Sequence, residues 1–287
     1  MEKTLVDLHT HSTASDGTES PAELVARAHA AGLAAIALTD HDTLGGLDEA
    51  ENAARKLGLG FIRGCEISTR EGGFEYHILG LWVPRKAEAL DNWLGAVRRR
   101  RNERNAEMVA RLRALGLDIS LEDLQARARG SVGRPHMAAA LVDKGYVPDV
   151  GAAFRDYLGS GCPAYVPKHV PPPEEAVRVL ASVGASAVLA HPFLNAAARP
   201  TIAALAERLS ACGLAALEAW HTSHSDADTR ECVELAARLG LGLSGGSDYH
   251  GANKPGIGLG RGYGSLRVPV AVLEALRDGR RARGLPC

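Results

Sequence analysis

Short, continuous apolar runs recur along this chain, and most follow a longer segment that ends at a glycine. Ala31-Gly32-Leu33 precedes Ala35-Ile36-Ala37-Leu38, and Leu57-Gly58-Leu59 precedes Phe61-Ile62. The pattern returns at Val183-Gly184 before Ala187-Val188-Leu189, at Cys212-Gly213 before Ala216-Leu217, and at Leu239-Gly240 before Leu241-Gly242-Leu243. Glycine just past a helix tolerates the left-handed backbone that turns the chain back to a sheet. Ser20-Pro21-Ala22-Glu23 carries a helix start, with serine as N-cap, proline in the first turn and glutamate at the third position. Seven strands are expected, at about 4–9, 35–39, 60–66, 75–83, 186–190, 215–219 and 241–247. Their apolar residues run on without alternation, which predicts parallel strands buried on both faces. Strands interleaved with helices make an α/β fold, either an open doubly wound sheet or a closed barrel.

Residues 84–168 break this rhythm. Helices are expected from Arg85 to Leu115, Ser120 to Arg129, Pro135 to Lys144 and Val150 to Leu158. This stretch reads as a helical insertion capping the active site of a domain made of residues 1–83 and 169–287. It holds 15 Lys+Arg against 10 Asp+Glu, so an almost neutral chain (formal net charge −1) divides into a basic insertion and an acidic remainder. Either the insertion meets something anionic, or it is a solvated helix face with i,i+4 pairs such as Arg99–Glu103. The composition, 46% hydrophobic and 23% charged over 287 residues, is that of a globular protein with a substantial core. Met1-Glu2-Lys3 leads into Thr4-Leu5-Val6 without the apolar stretch of a leader, and no run approaches the roughly 20 residues of a spanning helix. The five cysteines are odd in number and unpaired in spacing, as in reduced cytoplasmic proteins. A cytoplasmic protein with no membrane partner is expected, and no obligate protein partner is evident.

The chemistry gathers at the strand ends. The first strand leads into Asp7-Leu8-His9-Thr10-His11, with Asp16-Gly17 after it, and the second into Thr39-Asp40-His41-Asp42. The third ends in Gly64-Cys65-Glu66, the fourth contains His77, and the fifth ends in Ala190-His191-Pro192. The sixth ends in Glu218-Ala219-Trp220-His221 and the seventh runs into Gly246-Ser247-Asp248-Tyr249-His250. Parallel barrels collect catalytic groups at this edge, which favours a barrel over an open sheet. Imidazoles and carboxylates brought together desolvate badly unless a cation joins them. In His9-Thr10-His11, alternate strand positions let both rings face one ion. Nitrogen and oxygen donors without thiolate suit Mn²⁺, Zn²⁺ or Fe²⁺. Asp7, Asp40 and Asp42 read equally well as supporting or capping carboxylates. Tyr249 reads as packing, His224 as the start of a helix, and Gly256-Ile257-Gly258-Leu259-Gly260 as a loop folding over the site, not a dinucleotide fingerprint.

Asp-Leu-His-x-His at 7–11, Thr39-Asp40-His41, Gly64-x-Glu66, His77, Ala190-His191-Pro192 and Ser247-Asp248-x-His250 together resemble the PHP (polymerase and histidinol phosphatase) family over essentially the whole chain. The resemblance implies a distorted (β/α)₇ barrel with the helical insertion, and a phosphoesterase site holding three divalent metal ions, commonly manganese. Carried over by position, one ion takes His9, His11, Glu66 and Asp248. A second shares Glu66 and adds His77 and His191, and a third takes Asp16, His41 and His250. The Arg-rich helix and Gly133-Arg134-Pro135-His136 resemble the subgroup of nucleoside 3′,5′-bisphosphate phosphatases, also described as 5′→3′ exoribonucleases on 5′-monophosphorylated RNA ends. A phosphorylated nucleotide, and short RNA 5′ ends, are therefore the expected partners. The turn at 130–135 opens a helix with proline at its first position, where backbone N–H groups, Ser131 and Arg134 could hold a phosphate. Arg101, Arg104 and Asn105 are further candidates for substrate binding. His221 or His41 is the candidate acid for the leaving oxygen. The alternatives are a small-metabolite phosphatase such as a histidinol phosphatase, and a non-catalytic accessory module.

Overall fold

The computed structural model describes residues 4–127, 132–168 and 170–287. The chain forms two compact units, one made of residues up to 93 together with 171–287, the other of residues 94–170.

The larger unit is built on seven strands hydrogen-bonded in chain order: β1 (Val6–Asp7), β2 (Ala35–Leu38), β3 (Gly60–Glu71), β4 (Phe74–Leu81), β5 (Ser186–Leu189), β6 (Leu214–His221) and β7 (Gly242–Gly246). β1, β2 and β3 are parallel, as are β5, β6 and β7. β4 corrects the expectation of parallel strands throughout, because it runs antiparallel to both β3 and β5. The reason is length. Only Gly72 and Gly73 separate β3 from β4, both with positive φ, and two residues can close a hairpin but cannot carry a crossover helix. The last strand returns to the first. Leu8 N–H donates to Gly245 O at 3.1 Å, Asp248 N–H to His9 O at 2.9 Å and His11 N–H to Tyr249 O at 2.9 Å. The result is a nearly closed α/β barrel. At this seam a Cβ on Gly246 would lie 2.4 Å from the His9 backbone nitrogen, so only glycine lets the two strands meet.

Helices α1 (Pro21–Ala30) and α2 (Leu47–Leu57) follow β1 and β2. Ser20 and Glu23 form the capping box at the start of α1, and the five glycines placed after helices by the sequence all have positive φ. After β4 the chain runs into α3 (Glu88–Ala114), within which the division between the units falls. The smaller unit continues through α4 (Leu121–Arg127), α5 (Arg134–Asp143) and α6 (Val150–Ala153), the last followed by a π-helical turn over Phe154–Leu158. Met108, Leu112, Ile119, Leu124, Met137, Leu141 and Leu158 give this unit a buried core of its own. Helices α7 (Pro173–Ser182), α8 (Ile202–Ala211), α9 (Asp226–Leu239) and α10 (Val270–Ala282) complete the larger unit.

Every residue of β2 is buried, as a continuous apolar run requires, and its positions divide by parity. Ala35 and Ala37 pack with Val6, Leu8, Ile62, Leu79 and Val188, whereas Ile36 and Leu38 pack with Leu24, Val25, Leu47 and Ala50 under α1 and α2. Among the described residues, no helix is long and apolar enough to cross a membrane.

Asp7 fastens the seam. Fully buried, it accepts hydrogen bonds from Ser247 N–H (2.8 Å), Ser247 Oγ (2.5 Å), Gly260 N–H (2.7 Å) and His9 N–H (3.3 Å). Burial raises its pKa, while the bonds from Ser247, Gly260 and His9 work against that rise. Asp7→Asn turns an amide N–H₂ towards donors that now meet an acceptor. A loss of about 2–3 kcal/mol is expected, the cost of one or two stranded donors. Chemical denaturation measures it, and an unchanged midpoint would exclude this role for Asp7.

Candidate metal centre

The nine sequence candidates all lie in the larger unit and converge at one end of the barrel. His9 and His11 follow β1 and Asp16 lies in the next loop. His41 follows β2, Glu66 lies in β3, His77 in β4, His191 directly after β5, and Asp248 and His250 after β7. His77 reaches the same end although its strand is reversed. In the hairpin it pairs with Ser68, two residues past Glu66, so the start of β4 lies beside the end of β3.

Glu66 is the centre of the arrangement. Its Oε2 lies 3.4 Å from His9 Nε2, 3.3 Å from His11 Nε2 and 3.1 Å from His41 Nδ1, and its Oε1 lies 2.8 Å from His77 Nδ1 and 3.2 Å from His191 Nε2. Asp248 Oδ1 stands 3.6 and 3.3 Å from the same nitrogens of His9 and His11. Asp16 faces His250 Nε2 at 3.2 Å, and His11 and His41 at 3.8 Å. Three donor groups result, each with its atoms within 4.8 Å of one another: His9, His11, Glu66 and Asp248; His11, Asp16, His41 and His250; and His41, Glu66 and His77. The first matches the set expected from the resemblance. In the others His11 and His41 are shared between groups, while His191 stands outside all three and meets Glu66 Oε1, the oxygen that His77 also faces.

These residues fit divalent cations. His9 Nε2, both nitrogens of His11, His41 Nδ1, His77 Nδ1 and Glu66 Oε2 are buried without a hydrogen-bond partner. Stranded polar atoms each cost about 1–3 kcal/mol, and a cation facing them removes that cost. Hydrogen bonds behind the rings point the lone pairs inward. His9 Nδ1–H donates to Glu218 Oε1 at 3.0 Å, which leaves Nε2 for the cluster. His250 Nδ1–H donates to the Asp248 carbonyl at 2.8 Å, which leaves Nε2 towards Asp16. Asp40 accepts from Ser12 N–H, Ser12 Oγ and Ser15 Oγ at 2.6–2.8 Å and braces the loop leading to Asp16, while Asp42 accepts from Ser68 N–H at 3.0 Å. His191 and Asp248 have left-handed backbone (φ 27° and 56°), a conformation that costs a non-glycine residue about 1–3 kcal/mol. Such strain marks positions where the surroundings, not local preference, hold the residue.

Protons compete with cations for these nitrogens. Burial opposes a charge on His9, yet Glu218, Glu66 and Asp248 hold its pKa well above the ordinary histidine value. His11 and His77 rise to about 9 against the same burial, His11 through Asp248 and Glu66 and His77 through Glu66 and Glu75. His41 falls to about 3, because burial and its charged neighbours His11 and His77 outweigh Glu66 and Asp16.

Glu218 had no assigned role in the sequence beyond its place at a strand end. Completely buried, it accepts from His9 as above and from His191 N–H at 2.7 Å, so one carboxylate orients a ligand from β1 and holds the strained backbone after β5. Its pKa is lowered to about 2, because His9, His221 and His191 outweigh the burial that raises it. Lys254, for which the sequence offered no signal, places Nζ 2.5 Å from Asp248 Oδ2. His221 Nε2 lies 3.5 Å from the same oxygen, and its Nδ1 accepts from Ser223 N–H at 3.1 Å. Tyr249 packs in the core under α1, its hydroxyl donating to Glu19, and Leu259 of the glycine loop joins the same core.

The substrate candidates lie in the smaller unit. Arg104, nearly buried, donates from Nε to Val166 O at 2.8 Å, and Asn105 donates to Val132 O at 2.9 Å, holding the approach to α5. Arg134 lies between the rings of Phe154 and Tyr165, 5.7 Å from each centroid, with one long bond to Leu158 O at 3.4 Å. It opens α5 itself, so Pro135 is the second helical residue and not the first. Arg101 is half-buried in α3, and Ser131 falls outside the described residues.

Two outcomes are expected. Because the carboxylates push His11 and His77 up to about 9 and hold His9 well above its ordinary value, uptake of Mn²⁺ should release protons and tighten as pH rises through the His11 and His77 values. Calorimetry in buffers of different ionisation enthalpy reads this directly, and a pH-independent affinity would contradict it. Glu218→Ala should weaken metal binding about 10–100-fold, the usual effect of removing a partner that orients a ligand. Wild-type affinity in that variant would remove Glu218 from the centre.

Comparison with known proteins places this geometry. The PHP domain family matches residues 7–155. The 3′,5′-nucleoside bisphosphate phosphatase of Chromobacterium violaceum is 37% identical over 257 residues, covering 89% of this chain and 90% of that protein. A 5′-3′ exoribonuclease of Haemophilus influenzae is 36% identical over 244 residues, covering 85% and 89%. A crystal structure described as a metal-dependent phosphoesterase from Bifidobacterium adolescentis superposes with a TM-score of 0.77 at 33% identity, over 94% of this chain and 95% of the other. With the barrel, the donor cluster and the match over more than half its length in agreement, the chain belongs to the PHP family.

Proposed function

We propose that this protein is a divalent-metal-dependent phosphoesterase that removes the 3′-phosphate of nucleoside 3′,5′-bisphosphates. The observation that carries the reading is Glu66, buried and met by five imidazoles whose inward nitrogens are largely without hydrogen-bond partners. Three ions are proposed, manganese first and zinc or iron as alternatives, since the donors are imidazole and carboxylate without thiolate. Bound there, such ions supply a nucleophile at neutral pH and neutralise the oxygens of an in-line displacement at phosphorus.

The chain's own groups then divide the work. Glu66, Asp248 and Asp16 offer oxygens to the ions, and His9, His11, His41, His77, His191 and His250 offer nitrogens. His41 has both ring nitrogens turned to carboxylates, which suits a ligand better than an acid. His221 is held neutral, its pKa lowered to about 4 chiefly by burial, and neighbouring cations lower it further. With Nδ1 occupied by Ser223 N–H, its proton sits on Nε2, so it serves as a hydrogen-bond donor and not as an imidazolium acid. Selectivity for a second phosphate is assigned to Arg134, with Arg104 and Asn105 holding the backbone that presents it and Arg101 and Ser131 as further contacts. The surplus of positive charge over residues 84–168 supports this division.

Phosphate release from adenosine 3′,5′-bisphosphate with Mn²⁺, beside 3′-AMP and histidinol phosphate, tests the reading. The bisphosphate should be preferred, and Arg134→Ala should lower kcat/KM for it at least about tenfold while sparing 3′-AMP, the size expected for one charge-assisted contact. Equal losses on both substrates would remove Arg134 from the site, and faster turnover of histidinol phosphate would replace the proposed substrate. The exoribonuclease relative supports a second activity on 5′-phosphorylated RNA. Length-resolved digestion should then show removal of single nucleotides from the 5′ end, and an intact ladder would exclude it.

A further inference from the structure

Asp248 uses its two oxygens differently. Oδ1 turns to His9, His11 and His250, at 3.6, 3.3 and 3.4 Å, on the side of the donor cluster. Oδ2 turns away, to Lys254 Nζ at 2.5 Å and His221 Nε2 at 3.5 Å. The carboxylate is almost buried, whereas the lysine side chain is 40% exposed, so the ammonium comes to the cluster from the solvent side. It is also held in register with another candidate ligand. The short 3₁₀ turn Gly251–Asn253 before it is tied down by Asn253 Nδ2 donating to Asp16 O (2.7 Å) and Ala252 N–H donating to Thr18 Oγ1 (2.9 Å). Lys254 N–H bonds back to Gly251 O, and Ile257 N–H bonds to Lys254 O. Such anchoring is more than a surface ion pair receives.

We infer that Lys254 is a substrate-binding residue of the phosphoester site, its ammonium donating to a non-bridging oxygen of the phosphoryl group under attack. This rests on the reading of the barrel mouth as a phosphoesterase centre. The reason is charge. When Asp248 gives its charge to a divalent cation, an ammonium fixed beside that cation is repelled unless another anion lies between them. A phosphoryl dianion at the mouth is such an anion, and it is the group the centre is built to receive. A lysine serves here as a compact point charge with rotatable donors, able to turn from Asp248 Oδ2 to a phosphoryl oxygen without moving its backbone. No proton changes hands, and the role is to bind and neutralise.

The test uses full-length protein loaded with Mn²⁺ and compares wild type, Lys254→Met and Lys254→Arg. Three readouts are needed: bound manganese by elemental analysis, the Kd of inorganic phosphate by calorimetry, and kcat/KM for adenosine 3′,5′-bisphosphate. Lys254→Met should keep its manganese, bind phosphate at least tenfold more weakly and lose about 10²-fold in kcat/KM, the loss typical of one donor to developing charge. Lys254→Arg should recover part of both losses. Phosphate affinity and kcat/KM within twofold of wild type in Lys254→Met would overturn the inference and leave the lysine as a partner for Asp248 alone. Tighter manganese binding together with those unchanged values would overturn it in the same way. Should wild type itself hydrolyse no phosphoester while the phosphate Kd still responds to Lys254, the catalytic reading fails and the binding role of Lys254 stands.

Discussion

One buried carboxylate sets the terms for this structure. Glu66 is 1% exposed, in surroundings where an unpaired ion would be prohibitive, and the fold brings five histidines from four other parts of the barrel to within 3.4 Å of it. Imidazole nitrogens alone do not complete the arrangement, since several of them have no hydrogen-bond partner. A site of this kind is poorly satisfied by protein atoms and well satisfied by divalent cations, and the remaining features of the larger unit hold it ready for them.

Holding it requires the barrel to close and two residues to adopt unfavourable backbone. The seam between β7 and β1 passes through Gly246, where a side chain would strike His9, and is fastened by Asp7 to Ser247 and Gly260. Across the barrel, Glu218 joins His9 to the strained His191. Asp7 and Glu218 belong to none of the donor groups but hold residues that do, Asp7 through the His9 backbone and Glu218 through the His9 ring and the His191 backbone. They turn hydrogen bonds into geometry, so that rings from opposite ends of the chain arrive with their lone pairs facing one space. A rigid frame of this sort favours phosphoryl chemistry, in which catalysis is mainly positioning and charge neutralisation.

The smaller unit has its own core and a surplus of positive charge in its sequence. Arg104 donates to Val166 O and to Asn105 Oδ1, and Asn105 donates to Val132 O, whereas Arg134, among the described residues, rests on two aromatic rings with one long bond to Leu158 O. Of these three side chains Arg134 has the longest hydrogen bond to the rest of its unit apart from the Arg104–Asn105 contact.

Much of this was legible in order along the chain, because the signals are local. Glycines after helices, the Ser20–Glu23 capping box, unbroken apolar strands and donors at strand ends each depend on a few neighbouring residues. The reversed β4 was also within reach, since Gly72-Gly73 suits a hairpin and Phe74-Glu75-Tyr76-His77 alternates as an antiparallel strand can, but the apolar run Ile78–Leu81 at its end resembles the parallel strands beside it. The sequence by itself determined the residue types, their order and their delivery to one edge of a sheet. Tertiary structure alone decided which nitrogen of each ring faces inward, that Glu218 links β1 to β5, and that Lys254 reaches Asp248. Those pairings depend on how far the strands are staggered around the barrel, and the distance between groups more than 200 residues apart, such as His9 and Glu218, is written in no local pattern.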